Sequence, residues 1–111
     1  IVNISSVAAR LGSGDEYVDY APSKVAVDTF TRGLALEVAE DGIRVNSLRP
    51  GTTYTDIHAT GGQPDRPERV RGAVPMKRIG EPDEIADGVV YLLSDRASYV
   101  TGTFLEVSGG R

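Results

Sequence analysis

The sequence predicts an α/β protein built on a parallel sheet. Two observations carry this. Apolar β-branched runs and helical stretches alternate in the order strand, helix, strand, loop, helix, strand, which fits crossover units between parallel strands. Glycine and proline clusters punctuate the run ends, at Gly12–Gly14, Gly42, Pro50-Gly51 and Gly109-Gly110. The length of 111 residues allows one small domain.

Ile1 to Ile4 reads as a short buried strand, β-branched and followed by two serines. Residues 5–18 read as a loop. A helix is expected from Asp19 or Tyr20 to about Glu40, with Asp19 as N-cap and Pro22 tolerated in the first turn. Val27, Phe30, Leu34 and Val38 recur at helical spacing and predict its buried stripe. Gly42 suits the left-handed position after the helix. Ile43 to Leu48 is the second strand, ended by Arg49-Pro50-Gly51. A long polar stretch follows to Gly80, with room for one short helix after Asp65. Stretches of this length in small domains are usually functional or mobile. Pro82 opens the next helix at its first position, and Asp83 and Glu84 complement its dipole. Ile85, Val89, Leu92 and Leu93 are its expected buried face. Thr103 to Val107 is the last strand.

Composition narrows the function. The net charge is −4 and the pI about 4.9, which excludes a basic nucleic-acid stripe and argues against anionic membranes. There is no cysteine, so thiolate metal sites and cysteine nucleophiles are excluded. The one histidine, His58, cannot make a zinc site or a Ser-His-Asp triad alone, and no metal is expected. The longest apolar run, Val89 to Leu93, is far short of a membrane span. The chain begins at Ile1 inside a β-branched run, and three strands are few for a parallel sheet covered on both faces. Both features lead us to expect a piece of a larger domain.

The sharpest chemical signal is Tyr20-Ala21-Pro22-Ser23-Lys24. Positions i and i+4 of a helix share a face, so phenol and ammonium can be neighbours. A phenol is a poor base at neutral pH, and a nearby positive charge favours its ionised form. Such a pair can exchange a proton with a carbonyl or alcohol oxygen. Tyr-x-x-x-Lys alone would as readily be an ordinary exposed pair. Its setting matters: Ser5 and Ser6 leave the carboxyl end of a strand, where ligands of open α/β sheets sit.

With these residues in view, the sequence resembles the C-terminal half of the short-chain dehydrogenases/reductases over essentially its whole length. Asn3-Ile4-Ser5-Ser6 resembles the strand that delivers the catalytic serine, and Tyr20 to Lys24 the Y-x-x-x-K motif. Ile43 to Asn46 and Arg49-Pro50-Gly51 resemble the next strand and its P-G turn. Tyr99 to Gly102 and Val107 to Gly110 resemble the closing strand. The resemblance implies a Rossmann-like doubly wound sheet, of which residues 1–111 would be the C-terminal portion. The family's N-terminal phosphate-binding half is not in the chain, and Ile1 to Ile4 would present an unpaired edge.

The resemblance also implies roles. Tyr20 would be the general acid/base and also touch the cofactor, and Lys24 would lower its pKa and hold the nicotinamide ribose. Ser6 would hydrogen-bond the reacting oxygen. Ser5 is an alternative, because the Ser6 to Tyr20 spacing is one residue longer than the commonest form. Pro50, Gly51, Thr53 and Thr55 match the segment along the nicotinamide and pyrophosphate, with Thr53 where Ile or Val is usual. The cofactor would be NAD or NADP, and the substrate a small carbonyl/alcohol pair. The full-length protein would be a cytoplasmic homodimer or homotetramer, and this chain alone would be inactive. A non-catalytic dehydrogenase-like binding or interaction protein is the alternative.

The stretch from Thr52 to Gly80 resembles the family's substrate loop and lid. His58 is expected to face solvent. Arg66, Arg69 and Arg71, interleaved with Asp65 and Glu68, read as a solvated helix face. Of the tyrosines, Tyr54 and then Tyr17 are expected to line the pocket, and Tyr91 and Tyr99 to pack.

Overall fold

A computed structural model describes residues 1–111. Its sheet has three parallel strands in the order β1 (Val2–Ile4), β2 (Asn46–Pro50), β3 (Phe104–Val107). Val2 pairs with Asn46 and Ile4 with Leu48, while Ser47 pairs with Phe104 and Pro50 with Val107. The expected parallel α/β architecture is present, with β1 at an open edge.

The central strand carries the core. Val45, Asn46, Ser47 and Leu48 are fully buried. The Asn46 amide donates to the Val100 carbonyl at 2.9 Å and accepts from the Thr103 N–H at 3.1 Å. Its polarity therefore pins the chain that enters β3. Strand β2 starts at Asn46 instead of Ile43, because the Val45 N–H bonds the Thr101 hydroxyl instead of a strand partner. Strand β1 is not buried as expected: Ile1 and Ile4 are about half exposed. An edge strand has a neighbour on one side only.

Five α-helices surround the sheet: α1 (Ala8–Leu11), α2 (Tyr20–Glu37), α3 (Ile57–Thr60), α4 (Arg66–Val70) and α5 (Pro82–Leu93). Helix α1 lies in the expected 5–18 loop. The Ser6 hydroxyl accepts the Ala8 N–H at 3.1 Å, and Gly12 closes the single turn in a left-handed conformation. Helices α3 and α4 give structure to the long polar stretch.

Helix α2 ends at Glu37, three residues earlier than expected, and Gly42 is left-handed as expected. Asp19 precedes it but its side chain makes no capping bond. The buried stripe is Ala21, Asp28, Thr31 and Ala35. Val27, Leu34 and Val38 are half-buried, and Phe30 is 61% exposed. Small residues let the helix approach the sheet closely, and the two polar ones are satisfied there. Asp28 accepts from Ser47 Oγ at 3.0 Å and from Arg49 Nε at 3.0 Å. Thr31 accepts from Asn3 Nδ2 at 2.9 Å.

Side chains alternate along a strand. Ser47 and Arg49 face α2, so Leu48 faces the other way, where α5 packs. A Cβ built on Gly88 of α5 would lie 2.8 Å from Leu48 Cδ1. The two long helices thus cover opposite faces of β2. Pro82 and the acidic first turn open α5 as expected, with Glu84 accepting the Glu81 N–H at 2.9 Å. Leu92 is buried and Ile85 and Val89 half-buried, but Leu93 is exposed. Arg44 closes the far end, donating to the Leu92 carbonyl at 2.8 Å and to that of Ser94 at 3.2 Å. Tyr91 and Tyr99 are both exposed, Tyr99 completely, so neither packs as expected.

Candidate active site

The carboxyl ends of β1 and β2 open into a cleft of about 1010 Å³. Its floor is built by continuing the parallel ladder past the strands. The Ser5 N–H bonds the Leu48 carbonyl at 2.8 Å and the Val7 N–H bonds that of Pro50 at 3.1 Å. This fixes Ser5 and Ser6 beside the P-G turn. Gly51 has no room for a side chain, because a Cβ there would lie 2.7 Å from Ser108 Cα. The turn after β2 and the turn after β3 are therefore in direct backbone contact.

Helix α2 brings Tyr20 and Lys24 to the same cleft. The Lys24 ammonium lies 5.5 Å from the centre of the Tyr20 ring and donates to the Ile4 carbonyl at 3.1 Å. The Tyr20 hydroxyl has no partner within the chain, and the residue is 37% exposed. The two serines differ. Ser5 is buried and its hydroxyl donates to the Lys24 carbonyl at 3.1 Å. Ser6 is half-buried, and its hydroxyl accepts a bond from Ala8, which leaves its own proton free.

Pro50, Gly51, Thr53 and Thr55 also line the cleft. Thr53 is nearly buried, with its hydroxyl on the Gly51 carbonyl at 3.1 Å. The neighbouring bonds Tyr54 N–H to Gly80 carbonyl, 2.9 Å, and Gly80 N–H to Thr52 carbonyl, 3.1 Å, anchor this segment. The Thr53 carbonyl accepts a hydrogen bond from His58 Nε2 at 2.9 Å, while the Thr53 N–H finds no acceptor in the chain. An unpaired N–H on the lining of the cleft is available to a ligand or water. Ser5, Ser6, Tyr20, Lys24, Pro50, Gly51, Thr53 and Thr55 thus reach one cleft.

Three expectations change. His58 is half-buried on the cleft wall, held by the Thr53 carbonyl. Tyr17 lines the cleft, whereas Tyr54 turns away and donates to Glu68, whose carboxylate raises the phenol above its ordinary range. Arg66 and Arg69 do not form a free solvated face: both bond Glu16. Sequence reading missed Glu16, because its partners lie 50 and 53 residues away.

The whole chain, residues 1–111, matches a family model described as enoyl-(acyl carrier protein) reductase. The chain belongs to the short-chain dehydrogenase/reductase family. Among its curated relatives in that family is the Escherichia coli protein "Uncharacterized oxidoreductase YgfF". It is 60% identical over 111 residues, covering 100% of this chain and 45% of the relative. The "Glucose and ribitol dehydrogenase homolog" of rice is 42% identical, over 99% of this chain and 36% of the relative. The L-xylulose reductase of Caenorhabditis elegans is 43% identical, over 99% and 44%. A crystal structure assigned as a betaketoacyl-ACP reductase superposes with a TM-score of 0.83 at 41% identity, over 99% of this chain and 45% of that one. The chain spans less than half the length of these short-chain dehydrogenases/reductases.

Proposed function

We propose that this chain is the C-terminal half of an NAD- or NADP-dependent dehydrogenase domain that interconverts a small carbonyl compound and its alcohol. The observation that carries this is the convergence of Tyr20, Lys24 and Ser6 on one cleft beyond the strand ends. The family membership supports the oxidoreductase class. The residues suit a nicotinamide cofactor: Thr53 offers an unpaired N–H, and Lys24 keeps donors beyond the one on Ile4. When bound, the cofactor supplies the hydride chemistry. The chain's own residues handle the oxygen. Tyr20 gives or takes the proton at its hydroxyl, with the Lys24 charge beside its ring. Ser6 donates its free proton to the same oxygen, and Ser5, whose proton is committed to Lys24, holds the helix in place.

In this reading the phosphate-binding half precedes Ile1 in the intact protein, and residues 1–111 alone turn over nothing. Phe30 and Leu36, 61% and 72% exposed on α2, suit burial against another subunit in a homodimer or homotetramer. No helix is long and apolar enough to cross a membrane. The test is a screen of the intact protein against small aldehydes, ketones and alcohols with each nicotinamide cofactor, followed by the isolated chain. Turnover by the intact protein alone is the expected result. Turnover by the 111-residue chain alone would overturn the division of labour. No turnover with either cofactor would overturn the function.

A further inference from the structure

The wall of the cleft opposite the strand ends is held by one carboxylate. Glu16 lies in the loop that leads into α2, directly after a strained turn. Ser13 and Asp15 have φ of 49° and 68°, in the left-handed region that side chains disfavour. From this position Glu16 accepts from Arg66 Nε at 2.9 Å and from Arg69, both on α4. Arg69 also bonds Gln63, which draws the turn before α4 into the same contact. Glu16 and Arg66 are mostly buried, at 22% and 16% side-chain exposure, so water competes weakly for this pair.

A second contact runs beside the first. The Arg66 guanidinium lies 5.4 Å from the centre of the Tyr17 ring. The Tyr17 hydroxyl reaches the end of α3, where a Cβ on Gly61 would lie 3.5 Å from it. The Tyr17 ring in turn meets Tyr20 edge to face at 6.3 Å. The loop before α2 therefore touches the 52–80 segment at α3 and at α4, and its next side chain inward is Tyr20.

We infer that Glu16 is a positioning residue, which pins α4 across the mouth of the cleft through Arg66 and so holds the substrate wall in its closed place over Tyr20. This rests on the dehydrogenase reading of the cleft, but the pin itself is a contact that can be measured without turnover. Glu16 touches no residue assigned to proton transfer, and its effect passes through Arg66 and Tyr17. Substrate capture depends on the wall, so the pin governs KM. Proton transfer at Tyr20 governs kcat and is not the step Glu16 serves.

The test uses the intact protein as wild type, E16A, R66A and the double variant. Hydrogen exchange is followed in residues 57–70, with β2 and β3 as internal reference, and kinetics are measured on the best carbonyl substrate. Expected are exchange in 57–70 faster by about tenfold in each single variant and no further gain in the double. KM should rise by about fivefold to tenfold with kcat within about twofold. Should E16A fail to fold, E16Q keeps the shape, removes the charge and carries the same expectation. Unchanged exchange in 57–70, additive effects in the double variant, or a fall in kcat at constant KM would overturn the assignment. An intact protein without turnover would overturn the dehydrogenase reading, while the exchange data would still decide the pin.

Discussion

Glu84 performs two tasks at the start of α5, and both depend on its charge. Its carboxylate accepts the Glu81 N–H at 2.9 Å and pairs with both Arg78 amino groups at 2.6 and 2.7 Å. Arg78 first, and then the backbone bond, bring its pKa down to about 2 from an ordinary 4.5. The folded carboxylate thus holds its charge at pH values where the unfolded one is already protonated. The unfolded state binds the extra proton, so stability rises with pH through this window. The contribution of Glu84 is complete above about pH 4.5 and lost as pH falls toward about 2. A carboxyl-carbon NMR titration should place the Glu84 midpoint near the lower limit, and in R78A the midpoint should move up toward the ordinary value. Residues of this kind were only partly legible in advance. Tyr20, Lys24 and the Ser5-Ser6 pair could be picked out because two lie one helical turn apart and the serines follow a strand, while their expected roles, and the choice of Ser6 over Ser5, came from the family resemblance. Glu16 with Arg66, and Asp28 with Arg49, could not, because the pairs are 50 and 21 residues apart and chain order says nothing of the meeting.

The two covering helices show how an element's packing is decided by its smallest residues. Helix α2 turns Ala21, Asp28, Thr31 and Ala35 to the sheet, and the larger Phe30 outward. Hydrophobic spacing located the helix within three residues at its end and put Val27, Leu34 and Val38 on its half-buried flank, but it misplaced Phe30 and missed the small and polar residues at the centre of the buried face. Periodicity counts apolar residues, and here the buried face is small and polar with every polar group bonded. Helix α5 repeats the lesson with Gly88. Replacing it by alanine gains about 1 kcal/mol of helix propensity. The new Cβ, however, would meet Leu48 Cδ1 at 2.8 Å and Val107 Cγ2 at 3.1 Å, in a core where overpacking costs about 1–3 kcal/mol. The clash wins at most of that range, because Leu48 is fully buried and has nowhere to turn. G88A should therefore lower stability in denaturant unfolding of the intact protein. G88A/L48V, which shortens the obstructing side chain, should recover part of the loss. An equal loss in single and double variants would mean that α5 is held off the sheet by other contacts. The strands themselves were legible to within a few residues, because β-branched runs bounded by glycine and proline leave few alternatives.

At the scale of the molecule, some of the exposed apolar residues suit contact with the proposed remainder of the domain and its oligomer. Ile1 and Ile4 stand on the open edge of β1, and Phe30 and Leu36 on the outer side of α2. The parallel sheet was readable from alternation, and the family from motifs spread along the whole chain. Within residues 52–80 the short helix after Asp65 was legible and is α4, whereas α3 was not, since it is a single turn and His58 on it is held by the Thr53 carbonyl more than by local pattern. Proton transfer in the proposed reaction depends on Tyr20. The most direct test is turnover of a carbonyl substrate by the intact protein with its preferred nicotinamide cofactor, in wild type and Y20F, with thermal unfolding and cofactor binding measured on both. Loss of one hydroxyl that has no partner in the chain should leave folding unchanged and cofactor binding detectable. Turnover should fall by about a hundredfold or more, the usual worth of a positioned acid/base. Turnover in Y20F within a few-fold of wild type would contradict the account, because the proton would then be moved by some other group.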